Sequence, residues 1–268
     1  FGLHTVQKVW VVVCTGITLA FVFYVLRKLF GSYYAFLAIG LLSVEPFYVG
    51  LTRTFHLEGL LSTYMLASAV WFYYYLEKTQ NRKHLLVSSL FASLAFLTKT
   101  SALYLVPFYG LILILNAYRN EKMPVKNLWK TMLVATSTAI PVFLRWLIPT
   151  LLLCFILWPA FWTHAGVALG VLYRGIFTIG VERGHEQYFF GKLVNNPGIF
   201  YYDVVFLLRS SVYLVVGMVG VLLTFQKLNK EEKSFSTYLL IFSIVYGLAM
   251  AIPSKKLDRY LLPTIVGL

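Results

Sequence analysis

The residues able to do chemistry sit in three short stretches far apart in the chain. Arg53, His56 and Glu58 fall within six residues of one another. Lys99 stands in the otherwise apolar and hydroxylic run from Leu94 to Ala102, and Lys255, Lys256, Asp258, Arg259 and Tyr260 crowd the segment from Pro253 to Pro263. A carboxylate such as Glu58 can take a proton from a hydroxyl group or orient it, while guanidinium and ammonium groups hold phosphate oxygens and a phenol adds one more donor. Each stretch also has a plainer reading. Glu58 could simply sit in the first turn of a helix, where the helix dipole favours an anion, with Ser62 one turn on along the same face. Lys99 could snorkel to headgroups, and the late basic segment could anchor to the membrane surface.

The elements that must position these groups follow from composition. Of 268 residues, 59% are hydrophobic and 12% charged, against roughly 25% charged in ordinary soluble domains. Apolar runs recur at lengths near the ~20 helical residues that cross a bilayer. The chain therefore reads as all-α, a polytopic transmembrane helical bundle. Candidate spans run near 9–26, 33–51, 59–76, 85–98, 101–117, 146–162, 206–225 and 236–252, and a further one begins around Tyr260, about nine in all. The runs lack the alternation of barrel strands. One domain is expected over 1–268, with an outer loop at 163–205. Its first part, Ala165 to Gly180, suits a helix lying in the interface. Its second part holds Arg183, His185 and Tyr188, candidates for substrate contact, and the turn Asn195-Asn196-Pro197-Gly198. A chain opening at Phe1 and stopping at Leu268 within an apolar stretch reads as part of a longer protein.

Charge sets the orientation only weakly. Twelve basic residues, from Arg27-Lys28 through Lys233, fall on one side and ten on the other, among them Arg53, Lys99, Lys256 and Arg259. The first group is expected in the cytoplasm. The second group invites a functional reading as a surface for phosphate. The net charge of +13 on a membrane protein points to anionic lipid or an anionic substrate rather than nucleic acid. The 35 residues from His84 to Tyr118 are too many for one span and too few for two full ones. They fit a short hairpin with Lys99 at its tip, below the outer surface and facing a water-filled cavity.

Several chemistries lack support. There is no Gly-rich phosphate loop, and His185-Glu186 has Phe189 where a helical zinc motif needs its second histidine. Cys14 and Cys154 lie in apolar runs, four of the five histidines are scattered over outer loops, and no metal ligand set is assigned, although a divalent metal stays open. Glu45 is the lone acid well within a span, beside Pro46, which is not the chain of carboxylates a proton pump needs. A helix break capped near a surface explains it equally well.

Taken together, the stretches Ser43-Val44-Glu45-Pro46-Phe47 through Arg53-Thr54-Phe55-His56-Leu57-Glu58, then Leu97-Thr98-Lys99-Thr100-Ser101, then Lys255-Lys256-Leu257-Asp258-Arg259-Tyr260-Leu261-Leu262-Pro263 resemble the polyprenyl-phosphate-dependent glycosyltransferases of GT-C fold, the superfamily of protein O-mannosyltransferases and aminoarabinose transferases. Trp158-Pro159, Tyr188-Phe189-Phe190-Gly191 and Asn196-Pro197-Gly198 leading to Tyr201-Tyr202 are similar to its bacterial and archaeal members. The resemblance implies transfer of a sugar, a mannose-like hexose or a relative, from a polyprenyl- or dolichyl-phosphate carrier. The acceptor would be a protein, lipid or glycan outside a prokaryotic plasma membrane, and the anomeric carbon would invert. It implies that Lys99, Arg259 and Tyr260 bind the carrier phosphate, with Arg53, His56 and Lys256 beside them. Glu58 would be a second acidic participant, because the family's essential acidic pair lies in a first outer loop that would precede Phe1. The rival reading is a non-catalytic transporter or flippase of lipid-linked sugars. It needs alternating access, and no inverted repeat is apparent.

Overall fold

A computed structural model describes residues 2–54, 56–120, 128–179, 186–253 and 255–268. The candidates Arg183 and His185 lie outside the described residues. The chain is helical almost throughout, as the composition requires. Helix α1 spans Gly2–Phe30, α2 Ser32–Val44, α3 Pro46–Arg53, α4 Leu57–Tyr74, α5 Arg82–Thr98, α6 Leu105–Asn120 and α7 Leu128–Leu157. Helix α8 (Ala160–Arg174) is followed by a small antiparallel hairpin of β1 (Gln187–Phe189) and β2 (Lys192–Val194). Then come α9 (Tyr201–Arg209), α10 (Val212–Thr224), α11 (Lys230–Ala251) and α12 (Leu262–Gly267).

Helix α4 is the centre of the bundle. It is apolar on all sides, and fifteen of its eighteen residues are buried, the pattern of a helix enclosed by others. Helices α1, α3, α5 and α12 pack around it. Its few hydroxyls are satisfied within the core. Tyr48 on α3 pairs with Thr63 at 2.7 Å, and Ser68 meets the Tyr109 hydroxyl at 2.7 Å and donates to the Ser88 carbonyl at 2.9 Å.

Length and apolarity single out four helices among the described residues as able to cross a membrane alone, with two bent pairs that can each count as one span. The expected count of about nine is not confirmed. The expected hairpin is present: α5 ends at Thr98, Lys99 is extended, and a 3-10 turn over Thr100–Tyr104 leads into α6. The run expected to span 146–162 belongs instead to α7, which begins at Leu128 and carries Pro141 and Pro149 within it. Proline is tolerated in such helices when neighbouring elements satisfy the freed backbone groups.

Two expected spans are broken. Helices α2 and α3 meet at 64° and α9 and α10 at 111°. Pro46 lacks an N–H and starts α3 anew. Glu45, buried at that bend, accepts hydrogen bonds from the backbone N–H of Ser211 at 3.3 Å and from its hydroxyl. Ser211 precedes the first turn of α10, so one carboxylate fastens both bends to each other. The Glu45-Pro46 pair is thus a helix break, and its anion satisfies a different helix.

Helices α3 and α4 touch at Gly59. A Cβ there would lie 2.7 Å from Thr52 Cγ2 and 2.9 Å from its Cα, while Thr52 is fixed by donating its hydroxyl to Tyr48 at 2.9 Å. Gly59→Ala must therefore push α3 away, at a cost of about 1–3 kcal/mol. The thermal unfolding midpoint of the purified protein should fall measurably; an unchanged midpoint would mean that this close approach does not exist.

Candidate active site

Glu58 opens α4, whose enclosure on every side fixes where its first turn points. Lys99 is set by the hairpin tip. Its extended backbone ends α5, its N–H donates to Ala95 O at 3.0 Å, and its carbonyl accepts from Ala102 N at 3.1 Å. Tyr104, just beyond, donates to Phe242 O on α11 at 2.7 Å, which ties the tip to the far side of the bundle. Arg259 and Tyr260 lie on a 3-10 turn, Asp258–Leu261, that leads into α12. Asp258 holds that turn: it accepts from Arg209 Nη2 at 2.7 Å and from the backbone N–H of Arg259 at 2.8 Å.

These three segments meet on one carboxylate oxygen. Glu58 Oε1 lies 2.8 Å from Lys99 Nζ and 3.0 Å from Arg259 Nε. The Lys99 contact is a hydrogen bond, whereas the Arg259 N–H is not aimed along its contact, so that pair is held by charge more than by direction. The Glu58 side chain is 6% exposed, against 25% for Lys99 and 36% for Arg259. The anion is therefore at the back of the site and the cations at its front. Lys99 Nζ also sits 4.1 Å from the centre of the Tyr260 ring, within cation–π range.

The front of the site is a cavity of about 610 Å³ lined by Lys99, Ser101, Tyr104, Met250, Lys255 and Tyr260, with Gly175 and Ile176 from the turn after α8. It shares Thr100, Leu103 and Ile176 with a second hollow of about 380 Å³ that is almost wholly apolar, lined by Phe96, Leu147, Leu151, Phe155, Trp158 and Leu172 from α5, α7, α8 and the link between the last two. A chamber carrying the ammonium groups of Lys99 and Lys255 thus adjoins a greasy trough between helices. That pairing fits an amphiphile with an anionic head.

The other expected residues are placed as follows. His56 Nδ1 is 3.9 Å from Glu58 Oε2, too long for a hydrogen bond. Arg53 is exposed at the end of α3. Tyr188 is exposed on β1, whose neighbour Phe189 packs on Tyr201. Lys256 is buried at 2% exposure, donating to Pro253 O at 2.8 Å and reaching Asn196 Oδ1 at 3.4 Å. Burial pulls its pKa below the ordinary lysine value. The structure thus gathers Glu58, Lys99, Arg259 and Tyr260, keeps His56 at their edge, and turns Lys256 to tie the outer loop. Arg209 was not singled out by sequence, and Asp258 was named with its basic segment but given no role of its own. Among the described residues no group of three or more His, Cys, Asp or Glu could hold a metal ion.

The helical membrane bundle is that of the polyprenyl-phosphate-dependent glycosyltransferases of GT-C fold. Residues 5–148 match the dolichyl-phosphate-mannose-protein mannosyltransferase family, and the chain belongs to that family. Among solved structures it is similar to ArnT from Cupriavidus metallidurans bound to undecaprenyl phosphate, with 15% identity over 97% of this chain and a TM-score of 0.61. It is also similar to the apo state of that protein, with 16% identity, the same coverage and a TM-score of 0.57. This chain spans 44% and 43% of those two. No curated protein matches.

The tether from Lys256 to Asn196 and Pro253 should be what keeps the outer loop closed. Lys256→Met retains most of the apolar stem and removes the charge, so limited proteolysis should cut the 186–200 stretch several-fold faster in the variant. Equal cleavage rates would show that the loop is held some other way.

Proposed function

We propose that this chain is the donor-binding part of an integral-membrane glycosyltransferase that takes a sugar from a polyprenyl-phosphate carrier and passes it to a hydroxyl or amine acceptor at the extracytoplasmic face. The observation that carries the reading is the convergence of Lys99, Arg259 and Tyr260, two of them lining a cavity that adjoins an apolar trough. The two cations would hold the phosphate and stabilise the charge that grows on it as the bond to the sugar breaks. Isoprenoid units would lie against Phe96, Leu147, Leu151 and Phe155 in the adjoining hollow.

One observation supports this orientation and another the carrier. The site lies at the N-terminal end of α4, while the ion pairs Lys78–Glu231 and Arg119–Glu77, and the basic run Lys227, Lys230 and Lys233, lie at the opposite end of the bundle. Basic residues concentrate on cytoplasmic ends. Family membership and the fold of ArnT, solved with undecaprenyl phosphate, supply the carrier class. A mannose-like hexose donor and a protein, lipid or glycan acceptor remain within the family's range. Glu58 is bound by both cations, so it serves as the acidic participant behind the phosphate.

The test is transfer by the full-length protein in membranes with several polyprenyl-phosphate sugars, read by product mass. Lys99→Ala and Arg259→Ala should each lower turnover by about a hundredfold or more, since each removes a charge-assisted contact to the leaving phosphate. Wild-type turnover in both variants at equal expression would remove these residues from the site.

A further inference from the structure

The Glu58 carboxylate occupies the place of an anion. It accepts a hydrogen bond from the Lys99 ammonium and faces Arg259 Nε with the same oxygen, at 2.8 and 3.0 Å. Two cations and one anion leave the cluster with a single net positive charge. The anion is buried behind cations that are themselves partly exposed, Lys99 in the lining of the cavity and Arg259 beside Tyr260, which also lines it. An arriving phosphate therefore meets Lys99 and Arg259 from the front while Glu58 draws them from the back.

We infer that Glu58 is a charge-balancing positioning residue whose carboxylate competes with the carrier phosphate for Lys99 and Arg259, and so favours exit of the spent carrier. The inference rests on the reading of the cavity as a polyprenyl-phosphate site. In the transfer, the bond from the sugar's anomeric carbon to the phosphate oxygen breaks and its electron pair stays on that oxygen. A new bond forms from the same carbon to the acceptor atom, which gives up its proton. A phosphodiester with one negative charge enters, and a monoester carrying about two leaves, its second pKa being about 6. Without Glu58 the dianion would be gripped hardest at the moment it must depart. Each unit of ligand charge feels the carboxylate's repulsion, so Glu58 weakens the monoester about twice as much, in free energy, as the diester. The loosely aimed Arg259 contact suits this role, because a contact held by charge rather than direction can be handed over and regained with little rearrangement.

The experiment uses the full-length protein in lipid nanodiscs at pH 8, with undecaprenyl phosphate as the monoester and its methyl diester as the comparison. Glu58→Gln keeps the shape and removes the charge. It should bind undecaprenyl phosphate about tenfold tighter and the diester about threefold tighter. In turnover, kcat and KM should fall together, with stronger inhibition by undecaprenyl phosphate. A residue that merely holds the two cations in place predicts the reverse, weaker binding of both ligands and a raised KM, and that result overturns the inference. If Glu58→Gln does not fold, Glu58→Asp draws the carboxylate back by one methylene and should tighten both ligands in the same order by less; unchanged or weakened binding there overturns it equally. Failure of the wild type to transfer sugar or to bind undecaprenyl phosphate instead overturns the proposed function.

Discussion

One carboxylate shared between two cations organises the outer end of this bundle. Glu58, Lys99 and Arg259 come from segments separated by 41 and 160 residues, and each would be costly to leave alone at the edge of an apolar core. A buried carboxylate without its partners pays a desolvation cost of several kcal/mol. Pairing removes that cost for the anion and leaves the cations facing outward with further donors. The hairpin tip, the first turn of α4 and the 3-10 turn before α12 are thus drawn to one point. The same electrostatic economy that stabilises the outer end creates a place for phosphate.

The rest of the fold holds those three segments still. Helix α4 cannot shift, because neighbours enclose it and Gly59 lets α3 press close. Glu45 fastens the bend between α2 and α3 to the start of α10. Arg209, at the end of α9, steadies Asp258 and with it the turn that carries Arg259. Bent helices release backbone groups from the regular ladder, and in an apolar environment such groups must find partners. Here the partners are carboxylates, so each break in a span becomes a joint between two elements. The site stands on those joints.

Much of this was legible beforehand. Apolar runs of span length gave the helical bundle, and the shortness of the 84–118 stretch gave a hairpin with Lys99 at its tip. Three polar stretches in an apolar chain marked the candidate site, since ionisable groups at such positions need a reason to be there. What escaped notice was of another kind. The bend at Ser211 read as part of one continuous span because hydropathy averages over a break of two residues, whereas Glu45-Pro46 already offered a helix break. The extension of α7 back to Leu128 escaped because Pro141 and Arg145 interrupt the apolar run ahead of residue 146. Lys256 and Arg259 share one basic segment, yet one is buried against the outer loop and the other reaches Glu58.

The sequence by itself determined which parts of the chain are helical and apolar and which residue types could hold an anion, because burial and charge are properties of composition and local pattern. The tertiary structure alone decided that Glu58, in the first turn of its own helix, also lies behind Lys99 and Arg259. It also decided that Tyr260 lies beneath the ammonium and that the chamber adjoins an apolar trough. Those relations join residues far apart in the chain, and such distances are fixed only when helices pack against one another.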